Sequence, residues 1–193
     1  MNRRPPFSRK NSSDSHFSIR YAAGNIVLGG ILVAVMEAAK LALSFLPNIE
    51  LVSLLVILYA LEFPALIFCI LPVFVLVECG VYGMGLWVIM YLYSWPVLAI
   101  LARLFRRQNS PLFWAILSGS FGLCFGALCA LVYLPIGGPS LFFTTWVSGI
   151  PYDLLHFGGN FVLCLCLFAP LRRLIRRCKA AFPELYRDRQ KRK

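Results

Sequence analysis

Three groups of residues in this chain could do chemistry. Asp153, His156 and Asn160 stand at i, i+3 and i+7, so on a helix they share one face. A carboxylate, an imidazole and an amide in that order can recognise a polar small molecule. The same three can instead form an interhelical hydrogen-bond lock. Asp153 with His156 could also act as an acid–base pair, although no nucleophile stands at a recognisable spacing. The second group is aromatic. Trp87, Tyr91 and Trp95 recur at i, i+4 and i+8, with Tyr82 and Tyr93 nearby. They would stack a flat heterocycle, with Glu78 before them and Trp146 later in the chain, or form an interfacial aromatic belt. The third is Glu37 and Lys40, three apart inside an apolar run, where ionisable groups are costly and face the protein interior. They are expected to form an intramembrane ion pair or to meet a ligand.

The helix carrying Glu37 and Lys40 also carries Gly30, Ala34, Ala38 and Ala42, four apart and free of bulk. In a bilayer such a ridge lets another helix approach backbone to backbone. It serves either docking to an external partner or packing inside one bundle. Ser118, Gly122, Gly126 and Ala130 form a second ridge of the same kind.

The elements that must position these groups are membrane helices. Of the 193 residues 60% are hydrophobic and 14% charged, too apolar for a water-exposed domain, and runs of about 20 apolar residues recur. The fold class is an all-α membrane protein, a six-transmembrane-helix bundle with both termini cytoplasmic. The net charge of +11 does not indicate nucleic acid, because 18 of the 19 Lys and Arg lie before residue 21, at Arg103 to Arg107, or from Arg172 onward. Such clustering at span ends is the positive-inside signal. Residues 1–20 read as a flexible basic cytoplasmic arm and 172–193 as a basic cytoplasmic tail, its helical start lying on the inner surface. No cleavable signal peptide is expected.

Between them, residues 21–171 form the transmembrane domain, with spans at about 22–46, 51–62, 65–79, 84–104, 111–133 and 151–171. The stretch 51–79 is long for one crossing, and Pro64 disfavours helix at Phe63. Only two crossings there put both basic clusters on one side. Pro96 should kink the fourth span. The external segment Leu134 to Ser148, with Gly137-Gly138-Pro139 and Phe142, Phe143 and Trp146, is expected to fold back as a lid before a sixth span starting near Pro151.

Enzyme signatures are missing: the chain has no phosphate-binding GxxxxGK[ST], HExxH or GxSxG. Two histidines and seven scattered Cys without zinc spacing point to no metal site.

Six short spans, the small-residue stripe on the first, an external fold-back and basic cytoplasmic ends resemble the substrate-binding S components of energy-coupling factor (ECF) transporters. The stretches that carry the resemblance are Ala38-Ala39-Lys40-Leu41-Ala42-Leu43-Ser44-Phe45-Leu46-Pro47-Asn48-Ile49-Glu50 and Gly149-Ile150-Pro151-Tyr152-Asp153-Leu154-Leu155-His156-Phe157-Gly158-Gly159-Asn160-Phe161. The resemblance implies a non-enzymatic subunit of a bacterial plasma-membrane importer. It would capture a vitamin-like micronutrient from outside and dock through Gly30, Ala34, Ala38 and Ala42 on a transmembrane coupling subunit. ATP would be hydrolysed by partner ABC ATPases, so no cofactor is expected in this chain. Asn48, Glu78, Trp87, Tyr91, Trp146, Asp153, His156 and Asn160 would contact the substrate. The alternatives are a small intramembrane enzyme using Asp153 and His156, or a ligand-free membrane assembly protein.

Overall fold

A computed structural model describes residues 12–182, and the side chains from residue 23 onward. The basic arm lies partly outside the described residues, in 1–11, as does the tail beyond residue 182. Six α-helices follow in order: α1 Ser12–Ala42, α2 Val52–Glu62, α3 Ile67–Tyr82, α4 Leu86–Leu104, α5 Pro111–Ala130 and α6 Leu134–Ala181. A short 3-10 turn, Leu131–Tyr133, joins the last two, and no strand occurs among the described residues.

Local chemistry sets the boundaries. α2 stops at Glu62 because Phe63 precedes Pro64 and leaves helical geometry at φ −130°, ψ 56°. α3 ends at Gly83, whose φ of 77° suits a residue without Cβ. α5 starts on Ser110, whose side chain accepts the Phe113 N–H, with Pro111 in the first turn. α4 continues through Pro96 as one helix.

Two ends of the bundle are distinguished by their contacts. At one, Arg103 donates to Pro64 O at 2.6 Å and Arg172 to Glu62 Oε1 at 2.9 Å. At the other, Lys40 meets Glu78, Asn48 meets Tyr152, and Gly126 meets Asp153. The helices therefore alternate in direction: α1, α3 and α5 run away from the basic end and α2, α4 and α6 run back. α2 is the hub, with ten of its eleven residues buried against α4, α6, α1 and α5. A helix apolar on every side belongs at such a centre.

Three segments among the described residues are long and apolar enough to cross a membrane: Ala23–Ala42, Leu86–Leu104 and Pro111–Ala181, the last holding both α5 and α6. α2 and α3 are apolar but shorter, at 11 and 16 residues, or about 16 and 24 Å against a core of about 30 Å.

Several expected boundaries move. α1 begins at Ser12, so its helix extends back into the segment read as an arm, and residues 43–46 turn instead of completing it. The fold-back segment is not a loop. Helix starts at Leu134, breaks only at Gly137 and Gly138 (φ 67°), and then runs unbroken through Pro151 and Pro170. Pro139 opens the second piece, where a missing N–H costs nothing. As far as Ala181, the segment read as a tail does not leave the bundle. Arg172, Arg176 and Lys179 share one face of α6 and converge on Glu62, with Arg172 and Arg176 Nε each 2.9 Å from Oε1 and Lys179 Nζ 2.6 Å from the carbonyl.

Candidate functional site

At the end opposite the arginines lies a cavity of about 290 Å³. Its floor and walls come from Phe74 and Tyr82 of α3, Tyr91 and Trp95 of α4, Phe125 of α5 and His156 of α6. Its roof is the α1–α2 connection, from Leu43 to Glu50, with Lys40 at one side.

The roof is held down by polar bonds. Asn48 adopts a positive φ of 55°, which its short amide tolerates, and donates through Nδ2 to Tyr152 O at 3.1 Å. Glu50 caps α2, accepting the Ser53 N–H at 2.9 Å and the Ser53 hydroxyl at 2.5 Å. Its Oε1 also lies 3.2 Å from His156 Nε2. Asn160 lies 3.1 Å from Ser53 Oγ and, with its NH₂ turned toward Glu50, reaches Glu50 O and Oε1 at 3.2 Å. Burial works to raise the Glu50 carboxyl. The bonds from His156 and Ser53 outweigh it and hold the group below its ordinary value.

The aromatic stripe of α4 is an inner wall, not a belt at this end. Trp87 meets Tyr91 edge-on at 5.3 Å and Tyr91 meets Trp95 at 5.4 Å. The chain of rings continues from Trp95 to Phe125 at 5.5 Å and from Phe125 to His156 at 5.1 Å. Two buried nitrogens on lining residues, Trp95 Nε1 and His156 Nδ1, have no protein partner.

The Glu37–Lys40 pair does not form as expected. Lys40 reaches across to Glu78 on α3, and its ammonium stands over Tyr82 at 4.5 Å and Tyr91 at 5.4 Å. Glu37 is buried on the inward side of α1, where its carboxyl lies against that of Glu78, within hydrogen-bond reach. Lys40, with a long stem and near the helix end, swings toward the cavity while the shorter Glu37 cannot follow.

Asp153 also turns away from the cavity. It is buried against α5, where Oδ1 accepts the Gly126 N–H at 2.9 Å and Oδ2 has no partner. A Cβ on Gly126 would collide with that carboxylate, and one on Gly122 would sit 2.8 Å from His156 O. The α5 ridge is thus consumed by close packing of α5 on α6.

The α1 ridge behaves in the opposite way. Gly30, Ala34, Ala38 and Ala42 are all exposed, and a Cβ on Gly30 would meet nothing within 4 Å. Leu28, Leu32, Val33 and Met36 bury the other side of the same helix.

Of the eight residues expected to touch substrate, Asn48, Tyr91 and His156 line the cavity. Glu78 is engaged by Lys40 just behind it. Asn160 braces the roof, Asp153 ties α6 to α5, and Trp87 backs Tyr91. Trp146 is remote, packed with Phe142 and Phe143 on the first part of α6. Glu50, Phe74 and Phe125 were missed as lining residues. Glu50 could have been found from its place just before the first turn of α2, where a carboxylate can accept a free backbone N–H. Compared with known proteins, the chain matches no protein-family model, no curated protein and no solved structure.

Proposed function

We propose that this chain is the substrate-capture subunit, an S component, of an ECF-type micronutrient importer. The cavity is the observation that carries the reading: it is ring-lined, half open, and set at the end of the bundle away from every Arg among the described residues. By the positive-inside rule the basic end is cytoplasmic, so the cavity opens outward. On this reading the protein is a multi-pass component of the cell membrane with six crossings and both termini inside. α2 and α3 make short crossings, α2 shielded by its neighbours and α3 with one apolar face left exposed.

The exposed ridge of α1 supports the second half of the role. Gly30, Ala34, Ala38 and Ala42 would seat a helix of a transmembrane coupling subunit, with ATP hydrolysed by ABC ATPases bound to it. The chain itself transforms nothing. Asp153 and His156, the pair an intramembrane enzyme would use, are committed to Gly126 and Glu50.

The test is native mass spectrometry of the detergent-purified protein, with and without co-expressed coupling subunit and ATPases. A small molecule released on unfolding at near one-to-one occupancy, together with capture of the ATPases, is the expected result. A protein both empty and partnerless would overturn the proposal.

A further inference from the structure

We infer that Glu37 and Glu78 hold one shared proton at neutral pH, and that this proton fastens α1 to α3. The inference stands apart from the capture-subunit reading. It concerns two carboxyl groups behind the cavity wall and holds whatever the cavity takes.

The pair is buried and short of donors. Glu37 is 8% exposed and Glu78 1%, and their carboxyl groups lie within hydrogen-bond reach across the contact of α1 with α3. Of the four oxygens, Glu78 Oε2 accepts from Lys40. The other three receive no donor from any further residue among those described. An ionised carboxylate can only accept. Two of them here would leave three buried acceptors unmade and set like charges against each other. One proton relieves both costs. It turns a Glu37 oxygen into a donor to Glu78, and Glu37, Glu78 and Lys40 together become electrically neutral.

No second cation among the described residues faces the pair. Lys40 belongs to α1 itself. Tyr82 of α3 and Tyr91 of α4 are the other titratable neighbours, and their ring faces carry the Lys40 ammonium. From α2, Tyr59 gives its hydroxyl to Leu32 O. Glu50, across the cavity, is taken up by Ser53 and His156.

The proton matters to the fold because α1 packs mainly on α3. Its loss puts two carboxylates against one ammonium at that contact, and α1 loosens with the exposed ridge on its outer side. Lys40 is a quarter exposed and lines the half-open cavity, so the pair exchanges its proton with the water there.

Infrared spectroscopy of the protein in nanodiscs, in heavy water, tests the proton directly. At neutral pH the parent should show the carbonyl band of a protonated carboxyl. The band should shift when the glutamate carboxyls carry a heavy-carbon label, which separates it from Asp153. It should fade in one step as pH rises, and it should be missing in Glu37→Gln. Over the same pH range the melting temperature of the parent should fall by at least about 3 °C. Glu37→Gln should not show this fall, because its amide keeps a donor to Glu78 at every pH. Absence of a label-sensitive band in the parent overturns the inference without any variant. A band that survives in Glu37→Gln overturns it as well, since the proton then sits elsewhere. A melting temperature that falls equally in both proteins overturns the fastening role.

Discussion

Replacing Gly126 by Ala asks whether Asp153 belongs to the packing of α6 on α5 or to ligand recognition. In an unconstrained helix the change is stabilising by roughly 0.5–1 kcal/mol, because Ala loses less backbone entropy than Gly. Here the new methyl occupies space held by the Asp153 carboxylate. Making room costs about 1–3 kcal/mol of overpacking. Losing the 2.9 Å bond from Gly126 N to a buried carboxylate costs roughly 1.5–3 kcal/mol more. With the helix-propensity gain subtracted, Gly126→Ala should destabilise the protein by about 1.5–5.5 kcal/mol. The informative measurement is a double-mutant cycle. Asp153→Ala removes the obstacle, so Gly126→Ala in that background should approach the mild effect of an ordinary helical site. The coupling should be about 1.5–3 kcal/mol. Unfolding is followed by tryptophan fluorescence or helical circular dichroism across a denaturant series in mixed micelles, and ligand affinity is read on the same samples. If the two changes are additive to within about 0.5 kcal/mol, Asp153 does not lean on Gly126 and the packing argument is wrong.

Three further outcomes are expected. Ala38→Trp on the exposed face of α1 should leave thermal stability and ligand affinity within about threefold of the parent while abolishing co-purification of the coupling subunit; a large loss of stability would mean the ridge is buried after all. Glu62→Gln removes the buried anion on which Arg172, Arg176 and Lys179 converge, and should destabilise by about 3 kcal/mol. Arg176 is discounted because it is half exposed. Hydrogen exchange should rise first in residues 172–181. Finally, the Glu50 carboxyl is held below its ordinary value of 4.5 in the folded protein. Its contribution is fully present above that pH and is lost as pH falls through the lower, folded value. Melting temperature should therefore drop on acidification below about 4.5 in the parent, and this part of the dependence should vanish in Glu50→Gln.

The two small-residue ridges set a limit on what spacing can tell. Gly30-Ala34-Ala38-Ala42 and Ser118-Gly122-Gly126-Ala130 are the same pattern, yet one faces outward and the other is filled by Asp153 and His156. A ridge states that something can approach closely; what approaches is a property of the other helix. Legible in principle was the partner of the α5 ridge, since Asp153, His156 and Asn160 form one polar face that no lipid could cover. The all-helical class and the break at Pro64 were legible because they follow from composition and from one local steric rule. The pairing of Lys40 was not, because three residues of separation on one helix compete with any carboxylate that tertiary packing brings nearer, and Glu78 on α3 is that carboxylate. The roof of the cavity escaped notice for a related reason. Glu50 stands at a span end, where charge is cheap, but Ser53, His156 and Asn160 turn it inward and make it structural.

That inward turn joins the two halves of the site. Glu50 holds His156 on one side and the first turn of α2 on the other, so the roof cannot lift without breaking the bond to a residue that lines the cavity. Lys40 occupies the corresponding position on the far side. Its stem belongs to α1, whose outer face is the exposed ridge, and its ammonium is anchored on α3. A ligand that displaces Lys40 from the cavity wall therefore acts on the same helix that would meet the coupling subunit. Coupling of this sort requires differential contacts in two states, and the contacts of Lys40 with Glu78, Tyr82 and Tyr91 tie α1 to the cavity wall. Lys40→Met should accordingly change docking as well as ligand affinity. Measured by co-purification with and without bound ligand, a variant whose docking no longer responds to ligand is the expected result. Docking that responds as in the parent would detach the cavity from α1 and break this link.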